Sequence, residues 1–182
     1  MSQAPSDGQF FELAGDLPPE LYPLAGFVGR WRGHGSVGYP GIDQSGIVQE
    51  VTIEQGGGPY LAYRATTWLV DDSGEVGAEW HSETGYWRIT PTPDQQLDPP
   101  FAVEFVIADA AGYVTVYVGE VNGARLTVAS DVIARTSSAA EVAAGRRMYG
   151  IVEGDLLWAW DIAAFGNELG SYMAARLPRI KG

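Results

Sequence analysis

The sequence contains no cysteine, few basic residues and no long apolar run. Without cysteine, the 182-residue chain has no disulfide, zinc–thiolate site, iron–sulfur cluster or thiol nucleophile. It carries 11 basic against 23 acidic residues, and the net charge of −12 disfavours nucleic-acid phosphates and anionic membranes as partners. No apolar run approaches the roughly 20 residues of a membrane span. Because nothing demands an oxidising compartment, a cytoplasmic location is expected.

The composition that remains is typical of one folded domain. Hydrophobic residues make up 46% of the chain, enough for a substantial core at this length. Residues 1–17 predict a flexible N-terminal tail, and residues 18–182 are the predicted β-barrel domain. Pro18 to Leu21 predict a short helical turn, because proline is tolerated at the start of a helix. Pro23 is expected to end that helix after about one turn.

From Trp31 onward, apolar and polar residues alternate, and turn residues interrupt the alternation about every ten positions. This pattern is typical of strands with one buried face. Short glycine turns such as Val121-Asn122-Gly123 predict hairpins. After a first strand at Trp31, the expected strands cover residues 47–54, 60–70, 79–90, 101–107, 113–121, 124–135, 147–153, 156–163 and 172–180.

About ten strands joined by hairpins predict an all-β fold, a ten-stranded antiparallel barrel of the lipocalin or fatty-acid-binding-protein type. Closure is favoured because an open sheet would leave two exposed edges. A barrel of this width is larger than its own side chains fill, so it tends to hold a small ligand. The low-complexity stretch at residues 136–145 predicts an exposed loop.

Few residues are candidates for a catalytic or metal site. The chain has two histidines; His34 lies between glycines and is expected to face solvent, whereas His81 alternates with Trp87 and is expected to face the interior. A buried structural histidine is the commoner role for such a residue, and two distant histidines do not form a metal site by spacing. The carboxylates mostly occupy turns, although Glu83 lies on the inferred side of His81. No catalytic residue is predicted.

The six tryptophans are the more informative set. Trp158 and Trp160 share one face of a predicted strand with Ile162. Packing in the core is the default role of each ring. A flat aromatic or porphyrin-sized ligand would use the same residues, so Trp160 is also a candidate cavity residue.

Four blocks of sequence, in order and at compatible spacing, resemble the nitrobindin family of fatty-acid-binding-protein-like barrels. The first is the motif G-x-W-x-G-x-G, formed by Gly29, Trp31, Gly33 and Gly35 and followed by Tyr39-Pro40. Strand glycines of this kind permit a bend, and the tryptophan is expected to plug one end of the barrel. The other blocks are residues 81–88, 119–135 and 169–180.

The resemblance implies a barrel that binds haem b in a cavity at one end, with nitric-oxide and peroxynitrite chemistry at the iron. It also implies that the family's axial histidine falls at Tyr172, a threonine of the haem site at Gly41 and a methionine at Ile162, whereas His81 is retained. Tyrosine ligates iron only after losing a proton with a pKa of about 10. Arg176 is expected on the same strand face as Tyr172, but roughly 13 Å away, too far to stabilise a phenolate.

These residues leave three hypotheses open. In the first, the barrel has lost its haem ligand, has no cofactor and carries a small hydrophobic ligand. In the second, ferric haem b is held through Tyr172 or His81, with peroxynitrite isomerase chemistry retained. In the third, Trp158, Trp160 and Ile162 pack the interior shut and the barrel is a non-catalytic interaction module. The sequence does not indicate the oligomeric state.

Overall fold

Ten antiparallel strands close into one barrel in the computed structural model, which describes residues 17–91 and 98–181. The prediction of an all-β, ten-stranded antiparallel barrel is confirmed. Each strand pairs with its sequence neighbours, and β1 closes the barrel against β10, with His34 opposite Arg176. The strands are β1 (Gly29–Tyr39), β2 (Ile42–Gln55), β3 (Leu61–Val70), β4 (Val76–Ile89), β5 (Phe101–Asp109), β6 (Tyr113–Asn122), β7 (Arg125–Arg135), β8 (Val142–Val152), β9 (Asp155–Ala164) and β10 (Gly170–Leu177).

The up-and-down order of the strands gives the barrel two ends. We call "open end" the end where short connections join β1 to β2, β3 to β4, β5 to β6, β7 to β8 and β9 to β10. At the opposite end, the "closed end", a 3₁₀ helix at Pro19–Phe27 leads into β1. Leu21, Leu24 and Phe27 of this helix are buried, and their spacing of three matches the three residues per turn of a 3₁₀ helix.

The helix is longer than the single turn predicted at Pro18 to Leu21. Pro23 lies inside it and does not end it. The burial of Leu24 and Phe27 explains the difference, because the core contacts of these side chains stabilise the segment beyond the proline. Of the predicted tail, only Leu17 belongs to the described residues, and it is buried.

Trp31 lies at the closed end and is fully buried. Its indole Nε1 donates a hydrogen bond to the Phe27 carbonyl oxygen at 3.0 Å, and the Arg179 guanidinium carbon lies 3.9 Å from the centre of its rings. Gly33 and Gly35 of the same motif face β10, where a Cβ on either residue would overlap a backbone carbonyl oxygen. These glycines therefore permit the close approach of β1 and β10.

The alternation of the strands matches the prediction best in β9, where Leu156, Trp158, Trp160 and Ile162 are all buried. The prediction of an exposed loop at residues 136–145 is partly wrong. Strand β8 begins at Val142, and Gly145 is buried within it because it faces the interior beside Trp160 and Tyr117. In the described part of the chain, no helix has the length and apolar character to cross a membrane.

Candidate functional site

A cavity of about 290 Å³ lies inside the open end of the barrel and is partly open to solvent. Its volume is close to the lower limit of about 300 Å³ for small-molecule sites. The walls are mainly aliphatic and aromatic, and polar side chains lie among them. The apolar wall residues include Ile42, Ile107, Ile133, Val142, Trp160 and Ile162, and the polar ones His81, Glu83, Asp109, Tyr117, Arg147 and Tyr172.

Four of the five cavity candidates chosen from the sequence line this cavity: His81, Trp160, Ile162 and Tyr172. The fifth, Gly41, lies in the turn between β1 and β2 with a positive φ of 88°, next to the wall residue Ile42. His34 lies on the exposed face of β1. The alternation of the strands and the hairpin order therefore bring candidate residues from three strands, β4, β9 and β10, to one end of the barrel.

The expectation that Tyr172 shares a strand face with Arg176 is wrong. Strict alternation would place the neighbours Tyr172 and Met173 on opposite faces of β10. The pairing of β9 with β10 instead shifts register between Ser171 and Met173, so that Tyr172 lines the cavity and Met173 is buried. Arg176 is exposed and pairs with Glu153 and Asp155 outside the barrel. A β-bulge, which inserts one residue into the alternation, explains the difference.

Arg147 and Glu83 form a fully buried ion pair beside the cavity. Two guanidinium nitrogens of Arg147 donate to the two oxygens of Glu83, at 2.6 and 2.7 Å. Arg147 also donates to the hydroxyls of Tyr117 and Tyr149, and Tyr63 donates to Glu83 at 2.6 Å. Burial opposes ionisation of Glu83, but the charge and hydrogen bonds of Arg147 outweigh it and hold the pKa of Glu83 well below its usual range.

His81 lies between two carboxylates. Its Nε2 is 3.1 Å from Glu83 Oε2, and its Nδ1 is 3.3 Å from Asp109 Oδ2. Burial lowers the pKa of His81, but the hydrogen bond to Glu83 and the charges of Glu83 and Asp109 outweigh burial, so that the pKa is raised. The pKa of Asp109 is also raised, in this case by burial. Asp109 Oδ1 accepts a hydrogen bond from the Ala111 amide at 2.7 Å. This geometry favours an imidazolium that faces both acids.

Tyr172 presents a neutral phenol to the cavity. Its hydroxyl oxygen accepts a hydrogen bond from Trp80 Nε1 at 3.0 Å, and its ring packs edge-on against Trp160. Burial raises the pKa of Tyr172, the nearby acids Asp109 and Glu83 add to this effect, and the Trp80 hydrogen bond only partly opposes it. The surroundings therefore stabilise the protonated hydroxyl.

Among the described residues, one group of side chains could bind a metal ion. It consists of His81, Glu83 and Asp109, whose potential ligand atoms all lie within 4.8 Å of one another. Their other contacts disfavour that role. Both oxygens of Glu83 are occupied by the Arg147 guanidinium, which would repel a cation, and His81 faces the acids through both ring nitrogens. A metal-binding histidine must instead be neutral with one nitrogen free.

Arg147, Asp109 and Tyr117 are site residues that the sequence analysis missed. The signal for Arg147 was present, since it alternates with Tyr149 and Ile151 in a predicted strand. Its partner Glu83 lies 64 residues away along the chain. No sequence pattern indicates such a pairing.

Comparison with known proteins places these observations in a family. Residues 20–179 match the family described as "THAP4-like, heme-binding beta-barrel domain". The chain is 41% identical to the ferric nitrobindin-like protein of Beutenbergia cavernae, over 93% of this chain and 99% of the relative. It is 34% identical to the peroxynitrite isomerase of Kocuria rhizophila, over 93% of this chain and 95% of the relative.

One solved structure, the crystal structure of Rv2717c from M. tuberculosis, has the same fold. It superposes with a TM-score of 0.76 at 32% sequence identity, over 91% of this chain and all of the other. The relatives therefore carry two kinds of name, one for an enzyme and one for a nitrobindin-like protein.

Proposed function

The chain belongs to the family of THAP4-like, haem-binding β-barrel domains, and we propose that this member binds a small hydrophobic ligand in its cavity without coordinating haem iron. The proposal rests on one observation. The two cavity side chains that could bind iron, His81 and Tyr172, already contact other partners. Haem b would need either a neutral imidazole nitrogen or a phenolate oxygen directed at its iron. The cavity residues present do not fit that requirement.

His81 is unsuited to iron because a ligating imidazole must be neutral. Glu83 and Asp109 stabilise its protonated form, and each faces one of its ring nitrogens. Coordination of iron would require the imidazolium to lose its proton and to give up one of its two carboxylate contacts, which costs free energy. His81 therefore acts as a fixed charge of the cavity wall.

Tyr172 is unsuited to iron for the opposite reason. A phenolate needs a nearby cation, but the ionisable groups that act most strongly on Tyr172 are acidic, and they raise its pKa. The basic group Arg147 is paired with Glu83. The positions that the resemblance assigns to a threonine and a methionine of the haem site, Gly41 and Ile162, offer no iron ligand either.

The dimensions of the cavity support a ligand smaller than a porphyrin. Its volume of about 290 Å³ lies at the lower limit of ligand sites. Trp160 and Ile162 line this space, so they do not pack the open end shut as the interaction-module hypothesis requires. We therefore expect an apolar ligand of about two fused rings, such as naphthalene, to suit a cavity of this volume. The cytoplasmic location stays a prediction.

A fluorescence titration with naphthalene tests the proposal. Trp80 and Trp160 line the cavity, so binding is expected to change the tryptophan emission in a saturable way. Ile162→Phe, which adds volume inside the cavity, should weaken binding, whereas Val132→Phe on the exposed outer face of β7 should not. Absence of saturable binding, or equal loss in both variants, would contradict the proposal.

The alternative function is peroxynitrite isomerisation by ferric haem held through Tyr172 or His81. The name of the Kocuria rhizophila relative favours it. Protein incubated with hemin should then shorten the lifetime of peroxynitrite well beyond hemin in buffer, and Tyr172→Phe or His81→Asn should abolish the effect. We expect no difference between protein with hemin and hemin alone.

A further inference from the structure

We propose that the cavity selects a neutral aromatic molecule that carries an N–H donor beside an acceptor, as in an aromatic carboxamide, and rejects an aromatic carboxylate of the same size. This inference rests on the proposed small-ligand function. It concerns the charge and hydrogen-bonding pattern of the ligand, which the apolar walls alone do not determine.

Among the described wall residues, the basic side chains are His81 and Arg147, and acids already neutralise both. The Arg147 guanidinium donates to Glu83, Tyr117 and Tyr149, and the Trp160 ring lies over it with 4.1 Å from the guanidinium carbon to the ring centre. A ligand carboxylate would therefore find no cation with which to pair. Such a ligand would also lose its hydration on entry, which is unfavourable for an unpaired charge.

Asp109 provides an acceptor for the ligand. Its side chain keeps 12% of its surface exposed, and it lines the cavity. One oxygen faces His81 and the other accepts from the Ala111 amide, but a carboxylate has about four acceptor positions. The remaining positions suit a ligand N–H and repel a ligand carboxylate. A cationic amine is less suited, because the His81 imidazolium already lies 3.3 Å from Asp109.

Trp160 and Tyr172 provide donors. Trp160 is 8% exposed, and among the described residues its Nε1 has no hydrogen-bond partner. That nitrogen and the Tyr117 hydroxyl both lie 3.2 Å from the position that a Cβ on Gly145 would take, so the glycine leaves space beside them inside the cavity. Tyr172 accepts from Trp80 and keeps its own O–H proton for donation. A ligand acceptor such as a carbonyl oxygen would satisfy these donors.

The test compares 2-naphthamide with 2-naphthoate, which have the same shape but differ in charge and in the N–H donor. We expect the amide to bind at least about tenfold more tightly than the carboxylate at neutral pH, and more tightly than naphthalene. Asp109→Asn should reduce the ratio of amide to carboxylate affinity to about threefold or less. Asp131→Asn removes the same charge from the exposed face of β7 and should leave the ratio unchanged.

Trp160→Phe tests the donor side. This substitution should lower the affinity for 2-naphthamide to nearly that for naphthalene. The affinity for naphthalene itself should change little. Equal or tighter binding of 2-naphthoate to the unmodified protein would overturn the inference, as would an unchanged ratio in Asp109→Asn. If naphthalene and both derivatives fail to bind the unmodified protein, the proposed function itself fails; if naphthalene binds but the amide has no advantage, the selectivity alone fails.

Discussion

The two ends of the barrel differ in what fills their interior. At the closed end, the 3₁₀ helix and the rings of Trp31 and Trp87 fill the interior, and Phe27 packs against Trp87 with ring centres 6.2 Å apart. At the open end, the interior contains a cavity and a buried network of charges around Arg147 and Glu83. Both ends belong to the same ten strands, so the strand pattern alone does not determine what the interior holds.

The difference shows how stability and binding are divided in this protein. Burial of apolar side chains stabilises the closed end, and it needs no polar partner. The open end depends on paired charges, which contribute little net stability but are costly to separate. The charged network also keeps polar groups beside the cavity, where a ligand can reach them. Variants at the two ends should therefore respond differently to the same measurements.

The largest expected effect is at the open end. Arg147→Met leaves Glu83 buried without its partner and should lower the free energy of unfolding by about 3–5 kcal/mol, measured by urea denaturation. Adding Glu83→Gln to this variant should recover much of the loss, because the unpaired charge is removed. A loss below about 1 kcal/mol for Arg147→Met alone would show that the pair is not buried as described.

The next effect is at the closed end. Leu24→Ala removes a fully buried side chain of the 3₁₀ helix and should lower the free energy of unfolding by about 2–5 kcal/mol. Ile162→Ala, which enlarges an existing cavity, should cost less. Naphthalene affinity should stay unchanged in Leu24→Ala if the two ends are independent. A parallel loss of binding would show that they are coupled.

A pH titration of stability should separate the ends without a change of packing. The pKa of His81 is higher in the folded protein than its unfolded value of about 6.5, so its stabilisation is complete below that pH. This stabilisation should be lost as pH rises through the folded pKa. Urea unfolding between about pH 6 and 9 should show this loss in the unmodified protein and in Leu24→Ala, but not in His81→Asn.

The smallest effect should come from Tyr172→Phe. The variant removes the acceptor of the Trp80 hydrogen bond and should lower the free energy of unfolding by about 0.5–1.5 kcal/mol. The phenylalanine ring keeps the packing against Trp160, so thermal denaturation should show a small decrease in Tm. An increase in stability would indicate that the Tyr172 hydroxyl is strained rather than satisfied.

Much of the fold was predictable because alternation and hairpin turns are local signals. The same reasoning correctly indicated that the inward face of β9 carries Trp158, Trp160 and Ile162. The side of the barrel that Tyr172 faces was not predictable, since a bulge in β10 reverses the alternation there. The length of the 3₁₀ helix was missed because core burial of Phe27 outweighs the local effect of Pro23.

The candidate site was predictable only in part. His81, Ile162 and Tyr172 were chosen from the resemblance and Trp160 from the alternation of its strand, and all four line one cavity. The ion pair of Arg147 with Glu83 depends on the register of strands that are distant in sequence. A hydrophobic pattern predicts apolar residues at inward positions, because unpaired charged side chains are almost never fully buried. Arg147 was overlooked for this reason. Buried charge pairs of this kind require the three-dimensional arrangement.

An absorption titration of the purified protein with hemin tests the central claim most directly, because coordination by a protein side chain shifts the Soret band. We predict no saturable Soret change at one equivalent of hemin, and the same spectra for the unmodified protein, Tyr172→Phe and His81→Asn. A saturable band in the unmodified protein that either substitution abolishes would contradict the account and assign that residue as the iron ligand.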